Sequence, residues 1–186
     1  MIAFNNLQNH KWGISVVRVD GTGARDVLFP ESQLSGVQVV DWAKDGRSLY
    51  GIDFDFLYQV GLDGALLKKT PVKELGLEVI ASGGSCSLSP EGDRLLLGLA
   101  SEFPDVDDEG YPGSVVFMLD LPSGKAHRLT PKGMLASEPV WLPDGNAFLF
   151  RAAGKKVKQG VYRMTLGTGK CELVLGDAKD PSAARQ

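Results

Sequence analysis

An all-β chain built from short antiparallel strands is the fold class that the sequence predicts, on two repeated observations. The first is a strand, a tight acidic-glycine turn and a second apolar strand, present three times. The copies are Asp41-Trp42-Ala43-Lys44-Asp45-Gly46, Ser87-Leu88-Ser89-Pro90-Glu91-Gly92 and Val140-Trp141-Leu142-Pro143-Asp144-Gly145. Each leads into an apolar run: Leu49-Tyr50-Gly51-Ile52, Leu95-Leu96-Leu97 and Phe148-Leu149-Phe150. The second is a strand that enters a glycine turn and leaves it again, ending at Gly21-Thr22-Gly23, Asp63-Gly64, Ser123-Gly124 and Thr168-Gly169. Glycine supplies the positive φ that matches the twist of paired strands at little steric cost, so such alternation is a hairpin signal with a mechanism. The two motifs interleave with a period of roughly 40–50 residues, which makes four strands per repeat and predicts β-propeller blades.

The elements follow in order. Residues 1–29 read as a first blade that lacks its first strand, with Ile2-Ala3-Phe4, Trp12 to Val19 and Ala24 to Phe29 as its three strands. Complete four-stranded blades are expected at about 36–70, 83–130 and 136–175, all in a single repeat array over 1–175. Residues 176–186 form a polar, turn-rich tail unsuited to supplying the missing strand. The one helical piece expected is a short connector over Val72 to Val79. Trp42 and Trp141 are expected to pack between neighbouring blades, because buried aromatics dominate such cores. A closed ring needs complete blades, so the chain is expected to be part of a ring: a segment, a truncated product or one half of an assembly. Its open flanks then expose apolar surface and strand edges, which predicts self-association, with a homodimer of two copies completing one ring.

These motifs resemble the WD40-like repeats of TolB-type β-propellers. Pro139-Val140-Trp141-Leu142-Pro143-Asp144-Gly145 follows the Pro-x-Trp-Ser-Pro-Asp-Gly pattern of those repeats most closely, and Arg128-Leu129-Thr130 matches the expected end of a blade. Blade two departs from the pattern with Lys44 at the turn proline, and blade three with Leu88 at the tryptophan. The resemblance covers nearly the whole chain. It implies a non-catalytic module for protein–protein interaction or scaffolding. It also implies a periplasmic location, although Met1-Ile2-Ala3-Phe4 has no basic start and no sustained apolar run of a signal peptide.

Composition excludes several function classes. With 43% apolar residues the chain can bury a core, and 23 glycines suit a turn-rich β protein. A net charge of −3 argues against nucleic acid, whose binding depends on neutralising phosphates. No apolar run reaches the length of a membrane-spanning helix. Cys86 and Cys171 fall on strands of neighbouring blades too far apart for a disulfide.

In a propeller the loops that vary gather at one end of the blades, so a site is expected there. Blade two brings Asp53-Phe54-Asp55 to that end, blade three Ser101 to Pro112 with Glu102 and four further acids, and blade four Lys155, Lys156 and Lys158. Asp53, Asp55, Glu102, Lys155 and Lys156 are therefore the candidate binding residues. Asp105, Asp107 and Glu109, followed by Gly110, have the spacing that opens an EF-hand calcium loop, making calcium the one candidate cofactor. Val116 stands where the bidentate Glu belongs, so a solvated acidic loop is the simpler reading. The acidic and basic loops constitute either surface ion pairs, worth little each in water, or a bipolar recognition surface. Asp53 and Asp55 have no His or nucleophile beside them. His10 and His127 are too few for a metal site, and neither a Gly-x-Ser-x-Gly elbow nor a phosphate loop is present. No catalytic residues are assigned and a non-enzyme is expected. The alternatives are an accessory propeller of a prolyl-oligopeptidase-type hydrolase and a calcium- or carbohydrate-binding propeller.

Overall fold

A computed structural model of the chain describes residues 1–29, 36–77, 85–100, 113–154 and 156–183. The described residues form four separate antiparallel sheets. The first holds β1 (Ile2–Gln8), β2 (Lys11–Val17) and β3 (Arg25–Leu28). The second holds β4 (Gln38–Trp42), β5 (Ser48–Ile52), β6 (Phe56–Gly61) and β7 (Leu66–Pro71). The third holds β8 (Cys86–Leu88), β9 (Arg94–Ala100), β10 (Ser114–Asp120) and β11 (Lys125–Arg128). The fourth holds β12 (Leu135–Trp141), β13 (Ala147–Gly154), β14 (Val157–Thr165) and β15 (Lys170–Gly176). Within each sheet the strands lie in chain order, each hydrogen-bonded to the next, which is the order of a propeller blade.

The three strand–turn–strand motifs close with one bonding pattern. Gly46, Gly92 and Gly145 donate to the carbonyls of Ala43, Ser89 and Leu142 at 2.9–3.0 Å. These three glycines sit at φ 62°, 77° and 65°, where a Cβ would be strained. Asp45 accepts the amides of Arg47 and Ser48, and Asp144 accepts that of Asn146. In these two copies the carboxylate takes up amides that the strands leave free, and in the second copy the Ser89 hydroxyl oxygen accepts the amides of Asp93 and Arg94 instead.

The structure refines the expected elements in three places. β1 runs to Gln8, and Asn9 and His10, at φ 48° and 62°, turn the chain into β2. The connector after blade two is a single 3-10 turn, Val72–Leu75. In β12 the register shifts between Ser137 and Val140, with Glu138 at φ 56°. Pro139 has no N–H for the ladder, so the strand bulges there.

The chain divides into two compact units, Met1–Glu74 and Leu75–Gln186. In the first, Ile14, Val16 and Val27 of blade one pack on Leu49, Tyr58 and Val60 of blade two, with Val37 and the half-buried Trp42. Asn5 joins these two sheets, donating to the Val37 carbonyl at 2.8 Å and accepting from the Val39 amide. In the second, Leu96 and Val116 of blade three pack on Phe148, Phe150, Tyr162 and Met164 of blade four. Trp141 lies between these two sheets, as expected of it, and its indole N–H donates to the Ser87 carbonyl at 3.0 Å. Cys86 and Cys171 are not joined in a disulfide, and burial pushes the Cys171 thiol upward. Among the described residues no helix is long and apolar enough to cross a membrane.

Candidate functional site

The variable-loop end of the first compact unit is built by two turns and the start of β4. Trp12 follows the Asn9-His10 turn, and its carbonyl accepts the Val37 amide at 3.1 Å. Gln38 then pairs with Ile52, which precedes the Asp53-Phe54-Asp55 turn. The two turns therefore flank the first residues of β4 at one end of the unit.

Asp53 and Asp55 stand in opposite environments. Asp53 is 3% exposed, and one carboxylate oxygen accepts the amides of Asp55 and Phe56 at 2.8 and 2.6 Å. Its other oxygen accepts the Tyr58 hydroxyl at 2.7 Å. A buried carboxylate with this many donors holds its turn closed, and no oxygen is left aimed outward. Burial, reinforced by the bond to Asp53, pushes the Tyr58 phenol well above its ordinary range. Asp55 is exposed, and its carbonyl accepts the Val72 amide at 2.8 Å. Of the two, only Asp55 presents a carboxylate to a ligand.

Two aromatics are presented at the same end. Trp12 is 49% and Phe54 47% exposed. Phe56 and Tyr58 turn the other way, their rings 6.0 Å apart, and the Lys69 ammonium stands 3.9 Å from the Phe56 ring centre. By sequence Trp12 stands at the start of a strand and Phe54 between the two aspartates of the blade-two loop. Burial of Asp53 decides this: its inward carboxylate turns the following residue outward. A turn aspartate followed by an aromatic is the local signal that marks it.

In the second unit Lys156 is exposed on the β13–β14 turn. The backbone of neighbouring Lys158 accepts the Tyr162 hydroxyl at 2.8 Å. Glu102, Lys155, Asp105, Asp107 and Glu109, and with them the calcium reading, lie outside the described residues. Among the described residues no three His, Cys, Asp or Glu side chains group as metal ligands.

No protein-family model and no curated protein matches the sequence. Solved structures do match. TolB from Acinetobacter baumannii is similar over 95% of this chain and 42% of its own, with a TM-score of 0.66 and 17% identity. A puromycin-hydrolyzing peptidase from Mycobacterium tuberculosis is similar over 89% of this chain and 24% of its own, with a TM-score of 0.61 and 17% identity. Oligogalacturonate lyase from Vibrio parahaemolyticus is similar over 95% of this chain and 62% of its own, at TM-score 0.50 and 11% identity. The chain thus spans less than half the length of the TolB chain and a quarter of the peptidase. At these identities the likeness concerns the fold: four antiparallel sheets that are β-propeller blades of the TolB-like kind.

Proposed function

We propose that the chain is a non-catalytic propeller module that holds a protein partner at the variable-loop end of its first compact unit. The observation that carries this reading is the pair of exposed aromatics, Trp12 and Phe54, beside the exposed carboxylate of Asp55. Tryptophan and its aromatic neighbours are the residues that anchor protein interfaces, because they bury large area for few torsions. The Asp53 network supports the reading by holding the turn that carries Phe54 and Asp55, so the surface is pre-organised. The likeness in fold to TolB agrees with this reading.

The test is a photo-crosslinking residue placed at exposed Lys73, next to the Val72 amide that bonds the Asp55 turn, in the otherwise native chain and in a Trp12→Ala/Phe54→Ala variant. A protein captured by the first and lost from the second, with circular dichroism unchanged, supports the reading. Equal capture by both, or turnover of a substrate that depends on Trp12 or Phe54, overturns it.

A second reading, an accessory propeller within a larger hydrolase, draws on the likeness to the peptidase, of which this chain matches 24%. A hydrolase domain encoded in frame with this segment supports that reading, and its absence from the gene counts against it.

A further inference from the structure

Blade four carries two arginines whose buried Nε atoms have no hydrogen-bond partner among the described residues. The register places Val140, Leu149, Arg163 and Glu172 in one row across its four strands. Ser137, Arg151, Val161 and Leu175 form the next. Side chains alternate faces along a strand, so both rows lie opposite Phe148, Phe150, Tyr162 and Met164, which pack against blade three. This is the face that would receive a following blade. Among the described residues, the Nε atoms of Arg151 and Arg163 are the buried side-chain nitrogens with no hydrogen-bond partner. Glu138 approaches Arg151 at its Nη1, at 3.9 Å, and Glu172 is paired with Lys170. Buried donors in native proteins are ordinarily satisfied, so two on one face need an explanation.

The chain supplies one. In each compact unit an arginine on the corresponding face of one blade donates to a carbonyl of the next. Arg25 of blade one donates to Leu62 of blade two. Arg94 of blade three donates to Gly145 of blade four at 3.3 Å and lies over the Trp141 ring at 4.9 Å. Arg151 and Arg163 stand on the corresponding face of blade four, with their Nε donors unspent.

Blade one offers the complementary face. Its rows Ile2–Val17 and Phe4–Ser15–Asp26 lie opposite Ile14, Val16 and Val27, which pack on blade two. This is the face with which blades two and four receive their predecessors. It is apolar at Ile2, Phe4 and Val17, and anionic at the exposed Asp26, whose carboxylate is fixed by Ser15 at 2.8 Å and Gln8 at 3.0 Å. Cationic groups on one face and a pre-oriented carboxylate on the other favour this pairing over like against like.

We propose that this face of blade four is a self-association surface that receives the blade-one face of a second copy, with Arg163 and Arg151 meeting Asp26. The contact is head-to-tail, so made reciprocally it closes a dimer and made in series it builds longer chains. It is independent of any partner held at the loop end.

The test is molar mass by light scattering over a dilution series, for the native chain, Arg163→Glu, Asp26→Arg and an equal mixture of the two variants. The native chain is expected to exceed its 20.0 kDa monomer mass. Each single variant, with like charges opposed, is expected to associate about tenfold or more weakly. The mixture is expected to recover the native mass, because reversed and native pairs are then both complementary. Arg163→Gln and Asp26→Asn serve where circular dichroism shows that a reversal has unfolded the chain; both are expected to weaken association by a smaller factor. A native chain that stays monomeric at every concentration overturns the proposal. So does association unmoved by either substitution, or a mixture no heavier than its components.

Discussion

At Asp53 three hydrogen bonds converge on one buried carboxylate, from two backbone amides and the Tyr58 hydroxyl. Asp53→Ala leaves these donors without an acceptor, and should lower the unfolding free energy by about 3 kcal/mol, read from urea denaturation. Tyr58→Phe removes one bond and should cost about 1 kcal/mol. The same phenol sets a pH dependence. Burial raises Tyr58, and also Tyr50 and Tyr162, above the ordinary 10.0. The folded chain then keeps these protons when the unfolded chain has lost them, so stability is full below pH 10 and falls as pH rises beyond it. Urea midpoints measured from neutral to strongly alkaline pH should decline above pH 10, and less steeply in Tyr58→Phe. Sequence alone marked the Asp53-Phe54-Asp55 loop and took both of its carboxylates as candidate binding residues. Their separation into one buried and one exposed group depends on where Tyr58 lies once β6 has paired.

At the level of elements, blades are joined by close fits between sheets. Trp141 fills the space between blades three and four and bonds Ser87. Trp141→Ala should cost about 3–5 kcal/mol by cavity formation, while Trp141→Phe, which keeps most of the volume, should cost far less. Gly51 in β5 shows the opposite constraint: a Cβ there would come within 2.6 Å of Ile14 and 2.9 Å of Val37. Gly51→Val should therefore destabilise the first compact unit by about 1–3 kcal/mol through overpacking, seen as a lowered thermal midpoint. The strand–turn–strand copies were legible because turn chemistry is local. Gly51 was legible only as a residue of an apolar run, since its close neighbours come from another sheet and another strand.

For the molecule as a whole, the two compact units should register separately. Native-state hydrogen exchange is expected to divide the amides into blocks matching Met1–Glu74 and Leu75–Gln186. In Trp141→Ala, protection should fall in the second block and hold in the first. A uniform loss over both blocks would mean that the chain opens as one cooperative piece.

The sequence by itself determined the strands, their turns and the blade-like repeat, because glycine's positive φ and period-two alternation act over a few residues. The resemblance to TolB-type repeats rested on the same local motifs, and the fold likeness agrees with it. Tertiary structure alone decided which polar groups are committed and which are presented. It buried Asp53, exposed Trp12 and Phe54, and left the Nε atoms of Arg151 and Arg163 without acceptors. The physical reason is register: a shift of one residue moves a side chain from one face of a sheet to the other, and burial follows from which sheet lies against that face.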